Sequence, residues 1–206
     1  MKTLLHLTSS IFAEGGQSSR LADEFVAALR LEHPGAQVIR RDLARDPVPH
    51  LDAARFGAFI AKREALTPEQ QAVLAYSDTL VAELKAADTI VLGLPMYNFG
   101  LPSQLKAYFD HVARAGVTFR YTEKGAVGLL GGKRAYVFAA RGGLYQGTPH
   151  DTQTAYVRDF LAFLGITDLE FVYAEGLAIS EAAKQQALAA ARGALRALVQ
   201  PATLAA

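Results

Sequence analysis

Residues that could bind a ligand follow an apolar run at three places in this sequence. The run 89–94 is followed by an aromatic, amide-bearing segment, Pro95-Met96-Tyr97-Asn98-Phe99. The run 134–139 is followed by Ala140-Arg141-Gly142-Gly143, and the run 3–8 by a hydroxyl-rich segment over residues 9–19. Apolar runs of this length are typical of buried parallel strands, and open α/β sheets bind ligands where such strands end. We therefore predict that the three segments surround one ligand.

The segment over residues 9–19, which is the first of the three in chain order, predicts a phosphate site. It offers hydroxyl and amide groups just before a predicted helix, on Ser9, Ser10, Gln17, Ser18 and Ser19. Free N–H groups and the helix dipole favour an anion at such a position, even without a lysine or arginine. Glu14 is the only charged residue between Ser9 and Ser19, and there is no G-x-G-x-x-G fingerprint, so a triphosphate or a dinucleotide fits poorly. The alternative is that Ser18 or Ser19 only caps the helix.

The second segment, residues 95–99, and the third, residues 140–143, predict contacts to a flat ring system. Asn98 and nearby backbone groups suit the polar rim of an isoalloxazine, with Tyr97 and Phe99 beside its faces or the substrate space. Gly142 and Gly143 lack a Cβ, so their N–H groups can come close to a ligand and stabilise the negative charge of a reduced flavin. The alternatives are an aromatic turn that plugs the sheet edge and a Gly-Gly turn with a surface arginine. Taken together, the three segments predict flavin mononucleotide, FMN.

The elements that would position these segments alternate between strand and helix. Strands are predicted at 3–8, 37–41, 89–94, 134–139 and 170–174, and helices at 18–32, 67–86, 102–114, 152–164 and 180–199. A loop with a short helix is predicted at 42–66, and a β-hairpin at 117–130. This alternation predicts an α/β fold, a flavodoxin-like doubly wound five-stranded parallel sheet of order 2-1-3-4-5 with helices on both faces. We expect residues 1–206 to form a single domain.

The composition excludes several classes of partner and chemistry. The chain has 206 residues, with 21 basic and 20 acidic side chains well mixed and a net charge of +1. Neither a nucleic acid nor a membrane held by charge is expected. There is no cysteine, so disulfides and thiolate sites are excluded, and the five histidines do not pair at metal-ligand spacing. No secretory signal or membrane span is expected, and the predicted location is the cytoplasm.

Two other catalytic motifs are not supported. The segment 128–134 (GLLGGKR) is one residue short of a P-loop, has Arg134 where serine or threonine is needed, and precedes a strand instead of opening a helix. The nucleophile elbow G-x-S-x-G does not occur, so a hydrolase triad has little support.

The segments 95–99, 114–122 (RAGVTFRYT) and 141–143, with Ser9, Ser10 and 165–168 (GITD), resemble the FMN-dependent NADH azoreductases, also called NADH:quinone oxidoreductases. The resemblance covers essentially the whole chain. It implies a homodimeric flavoprotein with an FMN site near each subunit interface. It also implies ping-pong turnover, in which NADH or NADPH reduces FMN and is then replaced by a quinone or an azo compound.

The resemblance also implies roles for individual residues. The implied cofactor contacts are Ser10, Gly16, Gln17, Ser18, Pro95, Met96, Tyr97, Asn98, Phe99, Ala140, Arg141, Gly142 and Gly143. The implied substrate pocket contains Phe59, Phe119, Tyr121 and Phe163, with Phe56 as a further lid residue. No acid or base is implied, since a flavin accepts hydride itself and mainly needs positioning.

The sequence departs from the family pattern at three positions. Ala140 stands where the family often has serine, Tyr145 where histidine is common, and Gly16 where some relatives have serine. These departures bear on substrate preference and flavin affinity.

Other functions stay open at this point. A flavodoxin-like electron carrier would bind FMN without a substrate pocket of its own, and a scaffold or repressor module would bind flavin without turnover. A phosphopantetheine hydrolase would need no flavin. The segment 42–66, the excursion at 117–130 and the aromatic set favour the enzyme.

Overall fold

The protein is described here by a computed structural model that covers residues 1–199; the last seven residues of the predicted domain, 200–206, lie outside the described part. In chain order the elements are β1 (Thr3–Thr8), α1 (Gln17–Glu32), β2 (Gln37–Asp42), α2 (Ala53–Ile60), α3 (Pro68–Ala86), β3 (Thr89–Pro95), α4 (Ser103–Val112), β4 (Phe119–Thr122), β5 (Gly125–Gly128), β6 (Arg134–Ala140), α5 (Thr152–Phe163), β7 (Asp168–Ala174) and α6 (Glu181–Val199).

Five of the strands form one parallel sheet in the order β2-β1-β3-β6-β7. Numbered without the separate β4–β5 pair, this is the order 2-1-3-4-5, so the predicted flavodoxin-like topology is confirmed. The strand order reverses beside β1, and in such sheets the crevice at the reversal is the binding region.

The sheet is buried on both faces by helices. On one face, α1 and α6 pack on alternate strand residues and share a core that includes Phe25, Phe138, Val172 and Leu188. The opposite face is covered by α3, α4 and α5, whose core includes Leu80, Leu92, Phe109, Val137 and Leu161. This double burial explains why the strands are nearly continuous apolar runs.

The β4–β5 hairpin is predicted correctly in kind but is shorter than the 117–130 excursion. It is seated on the turn between α5 and β7. A Cβ at Gly128 would lie 2.0 Å from the backbone nitrogen of Gly165, so only glycine allows the two backbones to come this close. The amide of Leu130 also donates to the carbonyl of Leu164.

The helix predictions are confirmed in position, and α3 shows its predicted capping box. Thr67 Oγ1 accepts from the amide of Gln70, and the Gln70 side chain accepts from the amide of Thr67. None of the helices within residues 1–199 is both long and apolar enough to cross a membrane.

Candidate active site

The segments that follow β1, β3 and β6 meet at one edge of the sheet. Pro95 pairs with Ala140 in register, and the amide of Met96 donates to the carbonyl of Ala140 at 3.1 Å. The Ser9 hydroxyl donates to the carbonyl of Gly93 at 2.9 Å and joins the first segment to β3. Between these segments lies a cleft of about 360 Å³, lined by Ser10, Phe12, Gly15, Gly16, Gln17, Ser18, Pro95, Met96, Tyr97, Ala140, Arg141, Gly142, Leu177 and Lys184.

Most residues with an expected cofactor contact line this cleft. Those that do not are Asn98, Phe99 and Gly143, which lie within two residues of a lining residue in sequence. Asn98 and Phe99 are exposed. The three segments therefore meet, as their positions after parallel strands predict. The two residues at the tip of the second segment, Asn98 and Phe99, lie at the rim of the cleft.

Ser18 carries a buried hydroxyl with no partner. The first residue of α1 is Gln17 and its N-cap is Gly16, in extended conformation, so Ser18 and Ser19 lie inside the helix and cap nothing. The interpretation of these serines as caps is wrong. The Ser18 Oγ is fully buried and makes no hydrogen bond. A buried unpaired hydroxyl is costly, so a ligand acceptor in the cleft would stabilise it.

The N-terminus of α1 approaches β3 and Ser10 closely. A Cβ at Gly16 would lie 2.2 Å from Ser10 Oγ and 2.5 Å from Ser10 Cβ, so this chain requires glycine where some relatives have serine. Ser10 Oγ also lies 3.2 Å from the phenol oxygen of Tyr97, which accepts from the amide of Ile11 at 3.1 Å. Tyr97 thus links the segments at 9–19 and 95–99 while it also lines the cleft.

The tip of the second segment is a strained turn. Asn98 and Phe99 have φ values of 49° and 64°, and the amide of Gly100 donates to the carbonyl of Tyr97 at 2.9 Å. Two consecutive left-handed residues define a type I′ turn, a conformation that is costly for phenylalanine. The start of α5 holds it in place, because Thr152 donates to the carbonyl of Phe99 and Gln153 to that of Gly100. Backbone strain of this kind is concentrated at functional sites.

Arg141 is not a surface residue, and its guanidinium does not open into the cleft. The side chain is fully buried and binds Asp151 at 2.8 Å and Glu175 at 3.0 Å, with a further bond to Thr154. Burial by itself would raise the pKa of the Asp151 carboxyl, but hydrogen bonds from Arg141 and Thr154 outweigh it and lower that pKa. The arginine is therefore a structural clamp that joins β6 to α5 and to the end of β7.

The clamp fixes the turn at 141–143. The carbonyls of Arg141, Gly142 and Gly143 accept from the amides of Leu177, Ala178 and Gly176 at 2.9–3.1 Å. Since the carbonyls point towards the segment after β7, the N–H groups of Gly142 and Gly143 are left for other acceptors. The ring of Tyr145, where the family often has histidine, packs against the position of a Gly143 Cβ and lies edge-on to Phe99 at 5.5 Å.

The residues expected in the substrate pocket lie outside this cleft. Phe119, Tyr121 and Phe163 form one aromatic group, with ring centroids 4.3 Å and 5.4 Å apart around Phe119. Phe59 on α2 lies under the guanidinium of Arg114 at 4.7 Å, and its ring meets His111 edge-on. Tyr121 is 75% exposed and Phe56 half exposed, so part of this aromatic surface is open to solvent in one chain.

Four lining residues are not predicted from the sequence: Phe12, Gly15, Leu177 and Lys184. The signal for Leu177 and Lys184 is present, because they follow β7, the fifth parallel strand, as the other segments follow theirs. Applying the strand-end rule to that strand would have found them.

Two other observations limit the chemistry. Within residues 1–199, no group of three or more histidine, aspartate or glutamate side chains could hold a metal ion. A second open cavity of about 370 Å³ lies beside α3, lined by residues that include Asp46, Arg55 and Tyr76. It contains no buried unpaired polar side chain and none of the residues with a predicted role.

Comparison with known proteins agrees with the fold. A family model described as a flavodoxin-like fold, Flavodoxin_2, matches residues 2–199. The FMN-dependent NADH:quinone oxidoreductase of Cellvibrio japonicus is 56% identical over 192 residues, which is 93% of this chain and 96% of that protein. The FMN-dependent NADH:quinone oxidoreductase 6 of Burkholderia lata is 54% identical over 96% of this chain and all of its own length.

Solved structures give the same result. An FMN-dependent NADH-azoreductase from Bacillus anthracis, crystallised in complex with FMN, superimposes with a TM-score of 0.86 at 29% identity over 97% of this chain and 100% of that one. A second azoreductase structure from Bacillus anthracis has a TM-score of 0.88 at 28% identity, over 97% and 99% of the two chains. The chain therefore belongs to the flavodoxin-like family that contains the FMN-dependent NADH:quinone oxidoreductases and the NADH-azoreductases.

Proposed function

We infer that the protein is an FMN-dependent NADH:quinone oxidoreductase that also reduces azo compounds. The observation that carries this inference is the partnerless, fully buried hydroxyl of Ser18 in a cleft at the switch point of a flavodoxin-like sheet. The relatives at more than half identity are named for this activity, and none of those cited above is named as an electron carrier. The enzyme is therefore preferred to the carrier.

The residues of the cleft fit FMN. The Ser18 hydroxyl and the N–H groups that begin α1 are donors for a phosphate, since the first turn of a helix leaves its amides without intrahelical partners. Pro95, Met96 and Ala140 add apolar residues to the lining of the cleft. Gly142 and Gly143 add N–H donors for a negatively charged ring edge. Asn98, Phe99 and Gly143 would complete the cofactor contacts at the rim.

When bound, FMN supplies the two-electron chemistry, accepting a hydride from NADH and delivering two electrons to the acceptor. The chain supplies binding, orientation and electrostatics. Arg141 is not an acid in this scheme, because a guanidinium stays protonated and this one is engaged with two carboxylates. Its part is to hold the glycine donors, and protons for the product come from solvent.

We propose that the working form is a homodimer and that the aromatic residues serve the substrate pocket there. Phe59, Phe119, Tyr121 and Phe163 do not line the cleft of their own chain. A second copy that places this aromatic surface over the cleft would enclose a flat quinone or azo substrate. We further propose NADH as the donor in place of NADPH, because none of the lining residues forms an arginine cluster for a 2′-phosphate. The proposed compartment is the cytoplasm.

The function is tested by following NADH oxidation with a quinone and with an azo dye, with and without added FMN. We expect multiple turnovers that require FMN. Flavin binding without turnover would support the carrier, and turnover that is independent of flavin would contradict the proposal.

The site is tested by Ser18→Ala. We expect the flavin-free variant to gain about 1 kcal/mol in the free energy of unfolding, because an unpaired buried hydroxyl is removed. FMN affinity should fall about tenfold, because one hydrogen bond to a charged group is lost. Ser19→Ala is the matched control, since the Ser19 hydroxyl is also buried and unpaired but does not line the cleft. Equal effects of the two variants on FMN affinity would contradict the assignment.

A further inference from the structure

Only two of the residues that line the cleft are cationic, Arg141 and Lys184. The charge of Arg141 is already balanced by Asp151 and Glu175, and its side chain has no exposed surface. Lys184 is the remaining positive charge of the cleft. Its side chain is 34% exposed, so a ligand in the cleft can reach it.

The packing of α1 and α6 places Lys184 level with the N-terminus of α1. Both helices follow strands of the parallel sheet on the same face, so they run in the same direction, and Arg192 binds Glu24 across them at 2.8 Å. Eight residues before this pair are Lys184 on α6 and Gly16, the N-cap of α1. Eight residues correspond to ~12 Å on each helix, so the two positions stay level with each other.

The contacts that Lys184 makes within the chain do little to stabilise a positive charge at this position. It lies in the first turn of α6, where the helix dipole disfavours a cation. Within residues 1–199 its one ion pair is with Glu181, three residues earlier, at 3.5 Å, and the Glu181 side chain is 69% exposed. Exposed pairs of this kind contribute little to stability. A lysine in this position gains most from an anionic ligand in the cleft.

We propose that Lys184 binds the phosphate monoester of the flavin, opposite the Ser18 hydroxyl and the amides of α1. This inference rests on the proposed function, since it takes FMN as the ligand. It adds a cation to the helix N-terminus that the sequence predicts as the phosphate site. The phosphate would then lie between the N-termini of α1 and α6, and Lys184 on α6 would supply the positive charge that balances it.

The test compares FMN with riboflavin, which lacks only the phosphate, in fluorescence titrations of the flavin-free full-length chain. In Lys184→Gln we expect the Kd for FMN to rise about tenfold, as one charge-assisted hydrogen bond is lost, while the Kd for riboflavin stays unchanged. The difference from wild type should shrink as salt is added. Arg196→Gln, on an exposed turn further along α6, is the control that removes one charge from the same helix.

Each other outcome contradicts the assignment. Equal losses for FMN and riboflavin would make Lys184 a structural residue. An unchanged Kd for FMN with a raised KM for NADH would assign it to the pyrophosphate of the dinucleotide. If wild type fails to bind FMN at all, the proposed function itself fails, whereas equal binding by wild type and Lys184→Gln refutes only the role of the lysine.

Discussion

At the scale of single residues, the cleft is formed partly by residues whose burial or backbone conformation lowers the stability of the isolated chain. Ser18 keeps an unpaired buried hydroxyl, and Phe99 keeps a left-handed backbone with φ of 64°. Each costs free energy in the isolated chain, on the order of 1–3 kcal/mol. Arg141, in contrast, pairs its two terminal guanidinium nitrogens with Glu175 and Asp151, although its Nε has no partner, and it holds the neighbouring glycines in place. Binding groups and supporting groups are thus distinct residues within the same short segments.

The clamp predicts a large effect of Arg141→Met on folding. Removing the guanidinium leaves the nearly buried carboxylates of Asp151 and Glu175 without their charged partner, which costs about 3 kcal/mol because backbone amides still donate to both. Urea denaturation at pH 7 measures this loss. Arg141→Lys, which keeps the charge but not the forked geometry, should lose less. A Met variant as stable as wild type would show that the clamp does not support the turn.

His6 predicts a pH dependence of stability. Burial, with the nearby Arg40 charge as a smaller cause, lowers the pKa of His6 from 6.5 to about 4 in the folded chain. Between pH 6.5 and pH 4 the unfolded chain binds more protons than the folded chain. The contribution of neutral His6 to the free energy of unfolding is therefore complete above pH 6.5 and is lost as the pH falls towards 4. The loss is about 3 kcal/mol for His6 alone.

The measurement is the free energy of unfolding in urea at pH 7 and at pH 4.5, for wild type and His6→Gln. The variant should lose less stability than wild type over this interval, since it has no group to protonate at that position. Identical losses in the two proteins would show that His6 does not carry the effect.

At the scale of elements, the strand ends create the site and the hairpin presents the aromatic residues. The first turn of α1, the turn at 97–100 and the turn at 141–143 stand at consecutive carboxyl ends of β1, β3 and β6. Phe119 and Tyr121 are carried by β4, whose partner β5 ends at Gly128 against the turn after α5. The orientation of the proposed pocket therefore depends in part on this close backbone approach, beside the hydrogen bond from Leu130 to Leu164.

Gly128→Ala tests the seating of the hairpin. Its Cβ would meet the backbone of Leu164 and Gly165 at 2.0–2.1 Å, so we expect a loss of about 1–3 kcal/mol in the free energy of unfolding. Gly193→Ala is the matched control. It lies on the open surface of α6 with no atom near its Cβ, and it should gain about 0.5–1 kcal/mol. A neutral Gly128→Ala would mean that the hairpin can move without cost.

The types and order of these elements follow from the sequence, because apolar runs, capping patterns and turn residues are local signals. The conformation of Phe99 does not follow, since its left-handed backbone opposes local preference and is imposed by Thr152 and Gln153 from another helix. The burial of Arg141 is missed for the same reason, as its partners lie 10 and 34 residues away. The sequence alone leaves open the alternative role of Ser18 as a cap, because the N-cap is Gly16, which has no capping side chain.

At the scale of the whole molecule, the net charge of +1 is too small to attract an anionic ligand over a distance. Ligand binding therefore depends on the individual groups in the cleft. One chain supplies the groups proposed to hold the flavin, and the aromatic groups proposed to cover the substrate lie outside that cleft. The proposed homodimer would bring the two groups together at its interface. Sedimentation of the FMN-loaded protein should give twice the chain mass of 22.1 kDa.

The central claim, that this cleft holds an FMN that passes two electrons from NADH to a quinone, is tested most directly by one anaerobic absorbance titration. The purified protein is loaded with FMN, reduced with NADH, and then given a quinone. We predict that the visible flavin band bleaches with one equivalent of NADH and returns in full with one equivalent of quinone. A band that NADH leaves unchanged, or that quinone does not restore, would contradict the account.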